Sequence, residues 1–146
     1  TGDLPADQIV SHLYRQGNPL PNPEQQIEDT GFAQWRLADR IHVRLACSWN
    51  ASMGCDAVIR AGFHGSRGSA VLQNVDGSFY DFAVEHHQGT NRRPLAVPPD
   101  DWGGRALQHW VGRLHAGSGY DRDVERCLQV ARIIDAIYGR SSSTSG

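Results

Sequence analysis

The clearest pattern of hydrophobic and polar positions lies in the segment 41–75. Between 41 and 49 every second side chain is apolar, while polar residues such as His42 and Arg44 lie between them. A period of two places successive side chains on opposite faces of a strand. With a polar loop and a glycine turn later in the segment, the pattern predicts strand, loop, strand, turn and strand. The face expected to be buried in the first strand comprises Ile41, Val43, Leu45, Cys47 and Trp49.

Two further strands are predicted before this segment, over 9–15 and 32–39, and the second places Ala33, Trp35 and Leu37 on one face. The glycine and three prolines of 17–24 predict a loop or an extended arm between them, because proline lacks the backbone donor that regular structure needs. Asp39-Arg40 predicts a tight connection into the strand that begins at Ile41.

Two more strands are predicted after the segment, over 78–87 and 92–97, and Asp76-Gly77 is typical of the turn that precedes them. The pattern then changes to a helical period. A stripe of Trp102, Ala106, Trp110 and Leu114 predicts a helix capped by Asp100 or Asp101 and ended by the glycines at 117 and 119.

A second helix is predicted over 121–138, with Gly139 ending it. The expected fold class is therefore α+β: a mostly antiparallel, open-faced sheet of about six strands with two C-terminal helices packed on one face. The other face of such a sheet is solvated, covered, or used for assembly.

Length and composition indicate one globular domain over 1–140, followed by a flexible Ser/Gly tail at 141–146. The chain has 146 residues, of which 39% are hydrophobic and 21% charged. A net charge of −2 argues against a nucleic-acid partner, since phosphate binding requires basic surface. No apolar run is long enough for a membrane span, and the first residues lack the features of a signal peptide.

Three cysteines at unrelated spacings suggest neither a disulfide framework nor a zinc site, and they favour a cytoplasmic location. The seven histidines form no pattern typical of metal ligands, because His86 and His87 are neighbours on a strand and point to opposite faces. The glycine-rich residues 62–68 are followed by a strand, so they predict a hairpin connection and not a nucleotide fingerprint.

The loop at 50–56 interrupts the strand pattern with small and polar residues, and it is the candidate for ligand contact. Asn50, Ser52, Cys55 and Asp56 lie on it. A plain surface loop explains the same residues, and both interpretations stay open.

Three segments taken in order resemble the C-terminal domain of the Gfo/Idh/MocA family, which includes glucose–fructose oxidoreductase and inositol dehydrogenase. They are the Gly-Ser-Arg-Gly turn at 65–68, the helix entry Pro-Pro-Asp-Asp-Trp-Gly-Gly-Arg-Ala at 98–106, and the terminal helix at 130–138. The resemblance extends from about residue 24 to residue 140.

The resemblance implies an oxidoreductase that transfers a hydride between a sugar or cyclitol hydroxyl carbon and NAD or NADP. The family's N-terminal Rossmann domain, catalytic lysine and Asp/His helix have no counterpart in this chain, which contains no lysine. The chain is therefore expected to be a fragment that binds no cofactor and is not catalytic alone, and the parent enzyme is expected to use NAD or NADP.

The family's Tyr-Gly-Tyr-Asp loop corresponds here to residues 53–56, where both tyrosines are replaced. The resemblance therefore assigns substrate contact to Met53, Cys55 and Asp56, and the polar loop pattern adds Asn50 to the predicted substrate-binding residues. It also implies a homo-oligomer formed through the open sheet face, with no nucleic-acid or membrane partner.

Two alternatives remain open. The chain is a free-standing, non-catalytic binding or oligomerisation module, or it is a small lyase or isomerase that uses Asp56, His64 and Arg67.

Overall fold

The structure, a computed structural model, describes residues 9–23, 25–37, 40–99, 102–121 and 123–140. The chain divides into two compact units: Ser52–Gly119 forms one, and the chain up to Ala51 together with the chain from Tyr120 onward forms the other. The described residues form eight strands and two helices: β1 (Val10–Arg15), β2 (Asn18–Pro19), β3 (Thr30–Leu37), β4 (Ile41–Ser48), β5 (Arg60–Gly65), β6 (Gly68–Asn74), β7 (Phe82–Gln88), β8 (Asn91–Ala96), α1 (Trp102–His115) and α2 (Asp123–Ile137).

The α+β class predicted from the sequence is confirmed, but its details differ. The strands form two four-stranded antiparallel sheets, ordered β2-β1-β3-β4 and β5-β6-β7-β8, where one sheet of about six strands was expected. The helices belong to different units, α1 to the second and α2 to the first, instead of sharing one face of one sheet. Periodicity assigns residues to elements, but it carries no information about which strands pair beyond the nearest hairpin.

In the first sheet, β3 presents Ala33, Trp35 and Leu37 on one face, as predicted. Ala33, on that face, is buried, and it pairs with Leu45 of β4, so the apolar positions of the two strands lie on the same side. The end of α2 is attached to this side, because the Ser11 hydroxyl of β1 donates to the carbonyl oxygen of Ile137 at 2.6 Å.

The prediction that this face of β4 is buried is wrong. Ile41 and Leu45 are 55% and 44% exposed, Cys47 is exposed, and Trp49 lies beyond the strand and is 78% exposed. β4 is an edge strand, and the observed helix contact is made with β1, at the far side of β3. An apolar alternation predicts which face a side chain occupies, but another element must cover that face to bury it.

The predicted loop after β1 contains a short strand that the proline content concealed. Gln16 and Gly17 have φ angles of 51° and 77°, as a type I′ hairpin turn requires, and β2 pairs with β1 through Tyr14↔Pro19. Pro19 is tolerated because β2 is an edge strand, where a missing backbone donor breaks no inner ladder.

In the second unit β6 lies between β5 and β7, and Val71 at its centre is buried. The Asp76-Gly77 turn is confirmed, with φ angles of 50° and 75°. β7 begins at Phe82, later than predicted, because Ser78 belongs to the turn: its hydroxyl accepts from the backbone N–H groups of Tyr80 and Asp81 at 3.0 and 3.1 Å.

Both helices end at the predicted glycines, and both ends have the bonds of a Schellman motif. After α1 the N–H of Ser118 donates to the carbonyl oxygen of Arg113 at 3.0 Å, and Gly117 has a φ of 67°. After α2 the N–H of Arg140 donates to the carbonyl oxygen of Asp135 at 2.8 Å, and Gly139 has a φ of 68°.

Of the predicted apolar stripe of α1, Ala106, Trp110 and Leu114 are exposed, the last two at 56% and 55%. Three features named from the sequence lie outside the described residues: the cap at Asp100 or Asp101, the Asp39 connection, and the tail at 141–146. Within the part of the chain that the structure describes, no helix has both the length and the apolar character needed to cross a membrane.

Candidate functional site

The predicted substrate-binding residues lie on the connection from β4 to β5, and all of them are exposed: Asn50, Met53, Cys55 and Asp56. The chain passes from the first unit to the second between Ala51 and Ser52, so Asn50 belongs to one unit and Met53, Cys55 and Asp56 to the other. The structure therefore brings Met53, Cys55 and Asp56 together in the second unit, while Asn50 is a separate feature of the first.

The side chain of Cys55 is held in this loop by contacts with its neighbours. Its thiol lies 3.4 Å from the carbonyl oxygen of Ala57 and 3.7 Å from that of Met53, and it donates within the loop. The β6–β7 turn lies directly against it: a Cβ at Gly77 would be 2.8 Å from Cβ of Cys55. Glycine is therefore needed at Gly77 both for its positive φ and for this close approach.

Asn74, at the end of β6, joins the loop to the same turn. Its Oδ1 accepts from the N–H of Ile59 at 2.9 Å, and its Nδ2 donates to the carbonyl oxygens of Ala57 and Ser78, each at 2.9 Å. One side chain thus satisfies three backbone groups on two segments, which holds the loop that carries Asp56 in place. The sequence pattern marked Asn74 only as a strand residue.

The first unit contains a cavity that the sequence analysis missed. Its volume is about 130 Å³, and we call it the Glu28 cavity; it is lined by Glu28, Asp29, Thr30, Gly31, Cys47, Ser48 and Trp49. These residues come from the start of β3 and the end of β4, which pair through Thr30↔Ser48 and Gly31↔Cys47. No local motif marks the site, because its two halves are separated in sequence and meet only through strand pairing.

Hydrogen bonds fix the walls of the Glu28 cavity. The indole Nε1 of Trp49 donates to the carbonyl oxygen of Glu28 at 2.9 Å, and its backbone N–H donates to that of Asp29 at 3.2 Å. The Ser48 hydroxyl also donates to the Asp29 carbonyl oxygen, at 2.9 Å, and lies 2.9 Å from the Thr30 hydroxyl. The Asp29 carboxylate accepts from the N–H of Gln16 at 2.7 Å.

Tyr138, just beyond α2, donates its hydroxyl hydrogen to Oε1 of Glu28 in a short hydrogen bond. Burial, this bond and the negative charge of Glu28 raise the pKa of Tyr138 to about 12, and the Arg140 guanidinium, 4.8 Å from the centre of the tyrosine ring, opposes the shift. Tyr138 is therefore a neutral donor at physiological pH. The other carboxylate oxygen of Glu28, Oε2, is buried and has no hydrogen-bond partner among the described residues.

A second polar group lies on one face of the second sheet. Nδ1 of His64 is 2.9 Å from the Ser69 hydroxyl, and Nε2 of His87 is 2.8 Å from Oε2 of Glu85. Ser69 pairs with both His64 and His87 across the strands, so the four side chains share a face. The described residues contain no group of three or more His, Cys, Asp or Glu side chains placed to hold a metal ion.

The glycine-rich residues do not fit a nicotinamide dinucleotide. Gly65 and Gly68 pair with each other at the turn between β5 and β6, which confirms the predicted hairpin. A dinucleotide fingerprint instead places its glycines between a strand and a helix N-terminus, whose amides bind the pyrophosphate.

Comparisons with protein-family models, curated proteins and solved structures found no match. The resemblance to the Gfo/Idh/MocA family stays a prediction from the sequence.

Proposed function

We propose that this chain supplies a substrate-side loop and an assembly surface to an NAD- or NADP-dependent oxidoreductase of the Gfo/Idh/MocA type. The reaction oxidises a hydroxyl group of a sugar- or cyclitol-like compound, and the chain is not catalytic alone. The observation that carries the proposal is the order of three segments that resemble the family: the turn at 65–68, the helix entry at 98–106 and the terminal helix at 130–138. The α+β class agrees with it.

The substrate role is supported by the construction of the loop that carries Met53, Cys55 and Asp56. Its three polar or polarisable side chains are exposed, while its backbone is held by Asn74 and by the turn at Gly77. A loop that is fixed before binding loses less conformational entropy when it contacts a ligand. Asp56 supplies a carboxylate, which can accept the hydrogen bond that a substrate hydroxyl donates.

The assembly role is supported by the face of the first sheet that lies opposite the Ser11–Ile137 contact. Val10 and Phe32 are exposed on it, and Phe32 packs edge-to-face on Tyr14 with ring centres 6.2 Å apart. Exposed aromatic residues are enriched at the centres of protein interfaces. We propose that a second copy of the chain covers this face.

The test compares two variants in which an exposed apolar residue is replaced by Arg, one on each face of the first sheet. Phe32, 47% exposed on the proposed interface, is changed to Arg, and Ile41, 55% exposed on the other face, is changed to Arg as the matched control. Light scattering coupled to gel filtration should show an oligomer for the wild type and for I41R and a monomer for F32R, because an unpaired buried charge is strongly unfavourable at an interface. A monomeric wild type at micromolar concentration contradicts the assembly role.

Calorimetric titration with NADH tests whether this chain binds the cofactor by itself, and no binding is expected. Submicromolar binding would show that the chain has a cofactor site of its own. The gene upstream of the codon for Thr1 separates the oxidoreductase from a free-standing module: the former requires a reading frame that encodes a strand, GxGxxG and a helix.

A further inference from the structure

The two edges of the second sheet are built differently. β8, at one edge, contains Pro94, and its pairing with β7 has an irregularity of register between Val84 and Glu85. β5, at the other edge, contains no proline and pairs with β6 in an unbroken register. Proline and bulges are devices by which proteins prevent an edge strand from pairing with another chain. β8 has both devices and β5 has neither, so β5 is the edge that is open to a further strand.

The hydrogen bonds of β5 leave every second backbone unit unpaired. The N–H of Asn74 donates to the carbonyl oxygen of Ile59 at 2.9 Å, which places these two residues at a hydrogen-bonded position of the ladder. Such positions alternate along an antiparallel pair, so every second residue of β5 bonds to β6 in this way. No other described strand pairs with β5. The backbone N–H and carbonyl groups of the remaining residues point away from β6: Arg60, Gly62 and His64.

Gly62 indicates that this outward backbone is reachable. It has no side chain, so its exposed area belongs to the main chain. It is exposed although the ring of His64 covers one side of it, where a Cβ at Gly62 would meet Nε2 of His64 at 2.8 Å. β4, at the edge of the first sheet, contains no glycine, so the exposure of its residues gives no such evidence. An open row of N–H and carbonyl groups is a template for strand addition, in which main-chain hydrogen bonds supply the affinity.

The side chains along this edge specify the chemistry of the added strand. Arg60 and His64 lie on one face of β5, and Arg67 follows in the turn, whereas neither β5 nor β6 contains a carboxylate. Glu85 of β7 shares this face, but it is engaged with a histidine of its own strand. On the other face Phe63 is 69% exposed. Side chains that lie opposite each other on neighbouring strands interact directly, so this edge favours acidic residues on the first face and apolar residues on the second.

We propose that the outer edge of β5 binds an extended segment of a partner protein in which acidic and apolar residues alternate. The segment lies antiparallel to β5, because antiparallel pairing is slightly the more stable per residue. Its acidic residues lie beside Arg60 and His64, and its apolar residues lie beside Phe63. The surface belongs to the second unit and uses neither the loop at 53–56 nor the face of the first sheet, so it is independent of the proposed oxidoreductase function.

The probe is a capped, fluorescently labelled peptide, Ser-Glu-Val-Thr-Val-Glu-Ser, and its binding to the whole chain is followed by fluorescence anisotropy. The central Thr is expected opposite Gly62, where its N–H donates to the carbonyl oxygen of the glycine. N-methylation of this Thr removes the donor and should weaken binding about tenfold or more, whereas N-methylation of the following Val, whose N–H points to solvent, should change it less than about threefold. Equal effects of the two methyl groups would show that the peptide is not held as a strand.

Gly62→Pro tests the protein side of the same bonds, and Gly62→Ala is the matched control. Both variants add a Cβ that displaces the flexible end of His64. Only G62P removes the outward N–H, and proline is tolerated on an edge strand where that group bonds no neighbour. G62P should therefore bind the peptide about tenfold more weakly than G62A. Circular dichroism checks that both variants fold, and if G62P does not, the two N-methylated peptides decide the proposal.

Replacement of both Glu residues of the peptide by Gln tests the choice of an acidic partner. Loss of two exposed ion pairs should weaken binding about twofold or more, and the difference between the two peptides should shrink at high salt. A Gln peptide that binds equally well contradicts the acidic partner. The proposal as a whole is wrong if the parent peptide does not bind at millimolar concentration.

Gel filtration of G62P distinguishes a partner protein from a second copy of this chain. The variant should have the same size as the wild type, because the assembly proposed above uses the first sheet. A G62P variant that is smaller than both the wild type and G62A would show that a second copy covers β5, and it would overturn the proposed partner.

Discussion

Glu28 and Tyr138 are joined by a hydrogen bond across a sequence separation of 110 residues, and the bond anchors the end of α2 to the segment before β3. A second contact, from the Ser11 hydroxyl to the carbonyl oxygen of Ile137, anchors the same helix end to β1. Ile137 is one of three apolar side chains that are buried among the described residues. Two polar contacts and one buried apolar residue therefore help to attach the end of α2 to the first sheet.

Tyr138→Phe removes the hydroxyl group that donates to Oε1 of the Glu28 carboxylate. We expect the free energy of unfolding to fall by about 1–3 kcal/mol, the usual cost of a partly buried acceptor that loses its partner. Urea denaturation measures the change. Tyr14→Phe is the control, because its ring packs on Phe32 and keeps that contact without its hydroxyl group.

The same pair predicts how stability depends on pH. Since folding raises the pKa of Tyr138 from 10.0 to about 12, the folded state holds the phenolic proton more tightly than the unfolded state. The contribution is fully present below about pH 10 and is lost as the pH rises towards 12. Absorbance titration of tyrosine should show a phase near pH 12 in the wild type that is missing in Y138F. A wild type without this phase would contradict the environment assigned to Tyr138.

At the scale of elements, the β6–β7 turn does more than reverse the chain. Gly77 touches Cys55, and Asn74 bonds both Ala57 and Ser78, so the turn supports the loop before β5. The loop before β5 and the turn after β6 lie at the same end of the β5–β6 ladder, where Arg60 pairs with Gln73, and one glycine and one amide hold them together.

Gly77→Ala tests this support, and Gly89→Ala is the matched control. Both glycines have positive φ, at 75° and 57°, but a Cβ at Gly77 meets Cys55 at 2.8 Å while one at Gly89 meets nothing within 4 Å. The backbone cost of about 1–2 kcal/mol is common to both, and the clash adds about 1–3 kcal/mol for G77A alone. Chemical denaturation should rank G77A clearly below G89A; equal losses would mean that the loop does not depend on this contact.

At the scale of the whole molecule, large apolar residues lie on the surface of both units. Phe32 of the first unit and Phe63 and Trp110 of the second are exposed. Soluble proteins use exposed apolar surface mainly for association. Among the described residues the buried apolar side chains are those of Ala33, Val71 and Ile137.

The assembly proposed above predicts a melting temperature that rises with protein concentration, because association stabilises only the folded state. A tenfold increase in concentration should raise the wild-type melting temperature by a few degrees, since about 1 kcal/mol corresponds to about 2–8 °C for domains of this size range. Differential scanning calorimetry measures it. F32R should show no such dependence, and a wild type with a constant melting temperature would argue against assembly.

The sequence by itself determined those features that depend on near neighbours. The alternation in β3 and β4 assigns Ala33 and Leu45 to the same side, and their pairing follows from the short hairpin between the strands. The glycines at 117 and 139 end their helices, because the left-handed conformation they adopt is strained for other residues. These outcomes require only the local chain, and they appear in the structure as predicted.

Tertiary structure decided what depends on distant partners. Glu28 and Cys47 line one cavity only because β3 pairs with β4, and Tyr138 reaches Glu28 only because α2 ends beside it. The loop residues Asn50 and Asp56 are divided between two units, although they lie six positions apart in the chain. Periodicity fixes the face on which a side chain lies, whereas burial and site formation depend on which element covers that face, and that choice is made by packing over the whole chain.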